Sequence, residues 1–110
     1  MEIALNSPHA AELVKARTAL MTVIDPELFV NIIDLGLVYE VRFPSVGVIE
    51  VIMTLSTPHC PLGDAITGGV KNALNLAFPD QFIQVELVWD PPWGLDRITE
   101  EGKRQLGLKD

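Results

Sequence analysis

Thr57-Pro58-His59-Cys60-Pro61 holds the chain's single cysteine, between a strand-like run and a helix-like run. A thiol at or beside a helix N-cap faces free backbone amides and the positive end of the helix dipole. Both favour the thiolate, the form that acts as nucleophile or metal ligand. Cys60 is therefore a candidate reactive thiol. The alternative is a small buried apolar residue, a common fate of free cysteine. His59 could add a nitrogen ligand beside the sulfur, but adjacent residues seldom aim both side chains at one ion, so a surface-loop histidine is the preferred reading. His9 lies in the first helical turn and has no assigned role.

Asp25, Glu27 and Asp34 bracket the loop between the first helix and the first strand. Three carboxylates could supply hard oxygen ligands or hold a basic partner. Turn chemistry is the favoured reading, with Asp25 before a proline and Asp34 before Leu35-Gly36, each bonding nearby backbone. Asp90-Pro91-Pro92-Trp93-Gly94 cannot continue a strand, since its two prolines remove donors and stiffen the chain. The large apolar side chains of Trp89, Pro92 and Trp93 surround that rigid loop, a composition found at binding surfaces. Core packing explains Trp89 equally well; Pro92 and Trp93 are the candidate partner contacts.

The elements that must position these residues follow from apolar periodicity. Ser7-Pro8 starts a helix whose buried stripe is Leu13, Ala16, Leu20 and Ile24, ending at Asp25-Pro26. Leu37, Tyr39, Val41 and Phe43 alternate along a first strand, and Ile49, Val51, Met53 and Leu55 along a second. The link Pro44-Ser45-Val46-Gly47 makes the two an antiparallel hairpin. Pro61 to Phe78 is a second helix with Leu62, Ile66, Val70, Ala73, Leu74 and Ala77 on one face, and Gly68 and Gly69 permit close packing. Phe82 to Trp89 is a third strand, parallel to the second if the crossover is right-handed. Thr99 caps a last helix that runs to Leu106 and stops at Gly107. The expected fold is α/β in a two-layer α+β sense, α-β-β-α-β-α, with a small three-stranded mixed sheet packed against helices, in one domain over residues 1–110.

The composition narrows the function. Forty-eight per cent of the residues are hydrophobic, enough at 110 residues to build a core without staples. Eight basic against 15 acidic residues give a net charge of -7, which repels nucleic-acid phosphates and anionic lipid. No apolar stretch approaches the roughly 20 residues of a membrane span, and the N-terminus lacks a secretory pattern. A lone cysteine fits a reducing, cytoplasmic setting. There is no phosphate-binding glycine loop, paired-cysteine zinc site or dinucleotide fingerprint. One cysteine cannot hold an iron-sulfur cluster alone, because such clusters normally take four protein ligands. Any cluster would be shared, between subunits or with a partner, and a homodimer is the expected assembly.

Five segments together go further: Ile24-Asp25-Pro26-Glu27, Ile33-Asp34-Leu35-Gly36-Leu37-Val38, Met53-Thr54-Leu55-Ser56-Thr57, Cys60-Pro61-Leu62-Gly63, and Trp89-Asp90-Pro91-Pro92-Trp93 through Ile98-Thr99-Glu100-Glu101-Gly102 to Leu106-Gly107-Leu108. In this order they resemble the metal-sulfur cluster biosynthetic family, SufT-like and PaaD-related. The resemblance implies the helix and strand order above, matches Cys60 to the family's reactive cysteine, and marks Asp25, Glu27, Asp34, Thr54 and Thr57 as its surroundings. It implies an accessory or carrier factor in iron-sulfur cluster assembly rather than an enzyme. Its partners would be assembly or client proteins, and it would hold no tightly bound cofactor but a transient iron or cluster at Cys60. PaaD-type members carry extra cysteines in a C-terminal extension that is lacking here, which weighs against a ring-oxygenase component. Two rival readings are a thiol-independent scaffold using the Pro91-Pro92-Trp93 loop, and an enzyme with a cysteine nucleophile and His59 as base.

Overall fold

The computed structural model describes residues 9–56 and 63–108. Helix α1 spans Ala10–Leu20 and buries Ala16 and Leu20. The expected start at Ser7-Pro8 lies outside the described residues. The expected run to Ile24 is corrected, because the backbone beyond Leu20 is taken by a second structure. Ile32 donates its amide to Val23 and Asp25 donates to Val30, closing a tight hairpin in which Ile24 pairs with Asn31. Val23 then enters the core, while Ile24 stays 50% exposed.

Strands β1 (Val38–Ser45) and β2 (Val48–Met53) form the antiparallel hairpin. Gly47 sits in its turn at φ 81, a left-handed conformation that glycine adopts without strain. The register shifts at two places, between Val38 and Glu40 and between Arg42 and Ser45, and the first bears on the core. Val38 pairs with Met53 but Glu40 pairs with Ile52, so Tyr39 is an extra residue that shifts the register. Both Val38 and Val41 consequently face the core, at 2% and 8% exposure.

Helix α2 (Gly63–Ala77) crosses over to β3 (Phe82–Leu87), which lies parallel to β2, giving the order β1-β2-β3. Ile66, Val70 and Leu74 of α2 meet Ile49, Val51, Met53 and Ile83 of the sheet and Ala16 and Leu20 of α1. Each buried branched side chain contributes about 1.5–3 kcal/mol through removal of apolar surface from water. An added Cβ at Gly69 would meet Val23 at 3.3 Å, a close approach, whereas Gly68 is exposed and lines no contact. β3 is shorter than expected: Val88 donates to Met53 as the chain departs toward Pro91-Pro92, leaving Leu87 and Trp89 38% and 47% exposed. On the outer face of the hairpin, Arg42 bonds Glu40 at 2.8 Å and holds its carboxyl below the ordinary carboxylate range. Both groups are exposed, so solvent leaves the pair little weight in stability.

The C-terminal segment is a one-turn 3-10 helix, Leu95–Arg97, followed by α3 (Glu100–Leu106). Thr99 accepts from the Gly102 amide at 3.0 Å, and Gly107 ends the helix at φ 76, both as the sequence indicates. What docks this segment is Asp34. Its Oδ1 accepts from the Thr99 hydroxyl at 2.8 Å and its Oδ2 from the Asn31 side-chain amide at 2.7 Å. Its backbone carbonyl accepts from the Thr99 amide at 2.8 Å. Gly36 (φ 74) presses against the Arg97 carbonyl so closely that no Cβ fits, and a Cβ at Gly102 would meet the Asp34 carbonyl oxygen at 2.7 Å.

These contacts make two glycine substitutions differ in sign. Gly36→Ala should destabilise by roughly 2–4 kcal/mol, through positive φ and collision with backbone. Gly68→Ala, at an exposed helical position, should stabilise by up to about 1 kcal/mol. Urea unfolding of both variants beside the parent protein checks the pair.

Candidate functional site

Cys60, His59 and Thr57 lie outside the described residues, but both flanks of their segment are described. β2 ends at Met53, and Thr54 prolongs its line by donating its amide to Leu37 at 2.9 Å. Leu55 follows into the core, and on the far side of the segment a Cβ at Gly63 would lie 2.8 Å from Leu55 Cδ1. The start of α2 is thus packed directly on the end of the β2 line.

A cavity of about 170 Å³ opens at this end of the sheet, lined by Thr54, Leu55, Ser56, Trp89, Pro92 and Trp93. It unites residues distant in sequence. Thr54 is 1% exposed at its floor. Trp93 packs its ring against the core and donates its indole N–H to the Leu35 carbonyl at 2.7 Å, so it is a fixed wall. Tyr39 donates its hydroxyl to the Pro91 carbonyl at 2.7 Å, and the Arg97 guanidinium lies 4.5 Å over the Tyr39 ring, which steadies the loop from the other side. Pro92 and Trp89 are exposed. A small opening walled by two indoles and a proline can take up one apolar or aromatic side chain.

The three carboxylates do not converge on this cavity. Asp25 is 1% exposed and its Oδ1 accepts from the amides of Glu27 and Leu28 at 2.8 and 3.0 Å, the turn bonding expected before a proline. Glu27 is exposed, and Asp34 is committed to Asn31 and Thr99. Among the described residues no three His, Cys, Asp or Glu side chains gather as a metal-binding group. Sequence reasoning missed Leu55 and Ser56 as lining residues and left Trp89 open between core and contact. Its signal was the pair of prolines just beyond, which draw the chain off the sheet and leave that indole in the open.

The two tryptophans should respond differently to substitution. Trp93→Phe leaves the Leu35 carbonyl without its donor and should cost about 1–2 kcal/mol. Trp89→Ala should change stability by only about 0.5 kcal/mol or less, as exposed substitutions do. Chemical denaturation followed by circular dichroism distinguishes the two.

Comparison with known proteins places this arrangement. The model of the family described as iron-sulfur cluster assembly protein matches residues 14–87. The chain is similar to the Fe-S protein maturation auxiliary factor YitW of Bacillus subtilis, 41% identical over 91 residues that span 83% of this chain and 89% of that protein. It is likewise similar to the Fe-S protein maturation auxiliary factor SufT of Staphylococcus aureus, 43% identical over 86 residues, 78% of this chain and 98% of the relative. The crystal structure of a domain of unknown function, DUF59, from Bacillus anthracis superposes with a TM-score of 0.83 at 37% identity, covering 90% of this chain and 94% of that one. The matched region takes in the hairpin, the crossover helix and the third strand, and on these matches the chain belongs to the iron-sulfur cluster assembly protein family.

Proposed function

We propose that this protein is an auxiliary factor in the maturation of iron-sulfur proteins, a carrier or adaptor and not a catalyst of turnover. The relatives named as maturation auxiliary factors support that reading. The observation that carries it is the cavity of Thr54, Leu55, Ser56, Trp89, Pro92 and Trp93, whose floor is the stretch of chain leading directly into the segment that contains Cys60. In this reading the cavity receives a side chain of an assembly or client protein, bringing the partner beside the cysteine-bearing segment. Cys60 then makes a transient bond to iron, to a cluster or to a thiol of the partner, with iron or cluster as cargo.

Thiolate is the form that binds iron, so contact requires loss of the Cys60 proton. A single sulfur provides one of the four ligands a cluster normally takes, so the remaining ligands come from the partner or from a second copy of the chain. Asp25, Glu27, Asp34, Thr54 and Thr57 serve in this scheme as supports of the surrounding loops, and His59 as an optional second ligand. No described helix is long and apolar enough to cross a membrane. A cytoplasmic setting, where thiols stay reduced, suits a free cysteine in this role.

Cys60→Ala is expected to lower cluster loading of client enzymes in cells while leaving the circular dichroism spectrum and unfolding midpoint near those of the parent. Anaerobic iron and sulfide analysis of the purified parent and variant provides the chemical readout, with less iron retained by the variant. Undiminished client maturation together with unchanged iron content would remove the thiol from the mechanism and leave the scaffold reading, in which the Pro91-Pro92-Trp93 loop holds the client and substitution of Trp93 matters more than substitution of Cys60.

A further inference from the structure

The hairpin between α1 and β1 presents an aromatic side chain that the fold itself does not use. Phe29 is 77% exposed and adopts φ 60, a left-handed conformation that bulky residues rarely take. Exposure denies the ring any gain from leaving water, and the backbone angle is unfavourable for it. The loop is nevertheless rigidly built. Buried Asp25 accepts from the Glu27 and Leu28 amides through its side chain and from the Phe29 amide through its backbone carbonyl at 2.8 Å, while its own amide donates to Val30 at 3.0 Å. Asp25 therefore fixes the direction in which the residues at the tip are offered.

We infer that the Asp25–Val30 loop is a docking element that inserts Phe29 into an apolar pocket on a partner protein, a pocket rimmed by lysine or arginine. A preformed loop loses little conformational freedom on binding, and an aromatic anchor filling a pocket is the usual source of strong contact energy. The basic rim follows from charge. Glu27, exposed on the same loop, is its only acidic side chain apart from buried Asp25, and the whole chain carries a formal net charge of -7. That charge opposes a second copy of this chain and an anionic lipid surface as occupants. The inference is independent of Cys60, since it concerns how a partner is held and not what passes between the two.

Two measurements test it. Phe29→Gly should raise the urea midpoint, because glycine relieves the backbone angle and no packing is lost; a lower midpoint would show that the ring serves the fold and would overturn the inference. In cells, a photo-crosslinking benzoylphenylalanine at position 29 should form adducts with an iron-sulfur assembly or client protein. Mass spectrometry should map these adducts to an apolar pocket bordered by lysine or arginine, and the same probe at Phe82, itself 62% exposed, should not form them. Adducts only with a second copy or with lipid, the same adducts from position 82, or none at all would overturn it. The adducts should persist in the Cys60→Ala background, so that failure of the thiol mechanism and failure of docking are told apart.

Discussion

Asp34 is the point through which the two ends of this molecule are joined. Its carboxylate lies in the interior and is held by two neutral donors, the Asn31 amide and the Thr99 hydroxyl, while its carbonyl takes the Thr99 amide. Thr99 is also the cap of α3, so one side chain both starts that helix and moors it. The next two residues extend the attachment. Leu35 offers its carbonyl to the Trp93 indole, and Gly36 lets the Arg97 backbone settle against it. Three consecutive residues thus fix the whole return of the chain after β3. A buried donor or acceptor that loses its partner is costly, so these bonds act together or not at all.

That mooring has a consequence for function. The loop after β3 is rich in proline and is hydrogen-bonded to the sheet at its start, where Val88 donates to Met53, and through the Tyr39 hydroxyl on the Pro91 carbonyl. With Trp93 tied to Leu35, its ring and Pro92 become a wall facing Thr54, Leu55 and Ser56. The wall stands where the chain leads into the cysteine-bearing segment. The carboxylates shape backbone: Asp25, by the turn bonding its sequence indicates, organises the loop that carries Phe29, and Asp34, through Asn31 and Thr99, organises the loop that carries Trp93. The chain belongs to the iron-sulfur cluster assembly protein family, and this wall borders the stretch that leads into the segment carrying Cys60.

Much of the fold was legible in the amino-acid order because it is governed by local rules. Thr99 and Gly107 announce α3 through capping and a left-handed stop; the Val46-Gly47 turn and the flanking alternation announce the hairpin; the apolar face of α2 announces the crossover and with it the parallel third strand. Errors arose where a distant partner overruled a local pattern. Ile24 completes the helical stripe of α1, yet the hairpin pairing of Val23 with Ile32 claims that backbone first. Tyr39 fits the alternation of β1, yet it is set aside as a bulge residue and bonds to Pro91. For the site, Thr54, Pro92 and Trp93 were named separately from motif and composition, but nothing in their spacing said that they share a cavity. That depends on the bond from Trp93 to Leu35, 58 residues away.

The measurement that bears most directly on this account is amide and indole hydrogen exchange in Asp34→Ala, by NMR under conditions where the variant remains folded. Loss of the carboxylate is expected to release the Trp93 indole N–H to solvent exchange, along with the Thr99 and Gly102 amides, while Val51 and other central amides of β2 stay protected. Trp93 protection equal to that of the parent would contradict it, since the cavity wall would then be held in place by something other than Asp34.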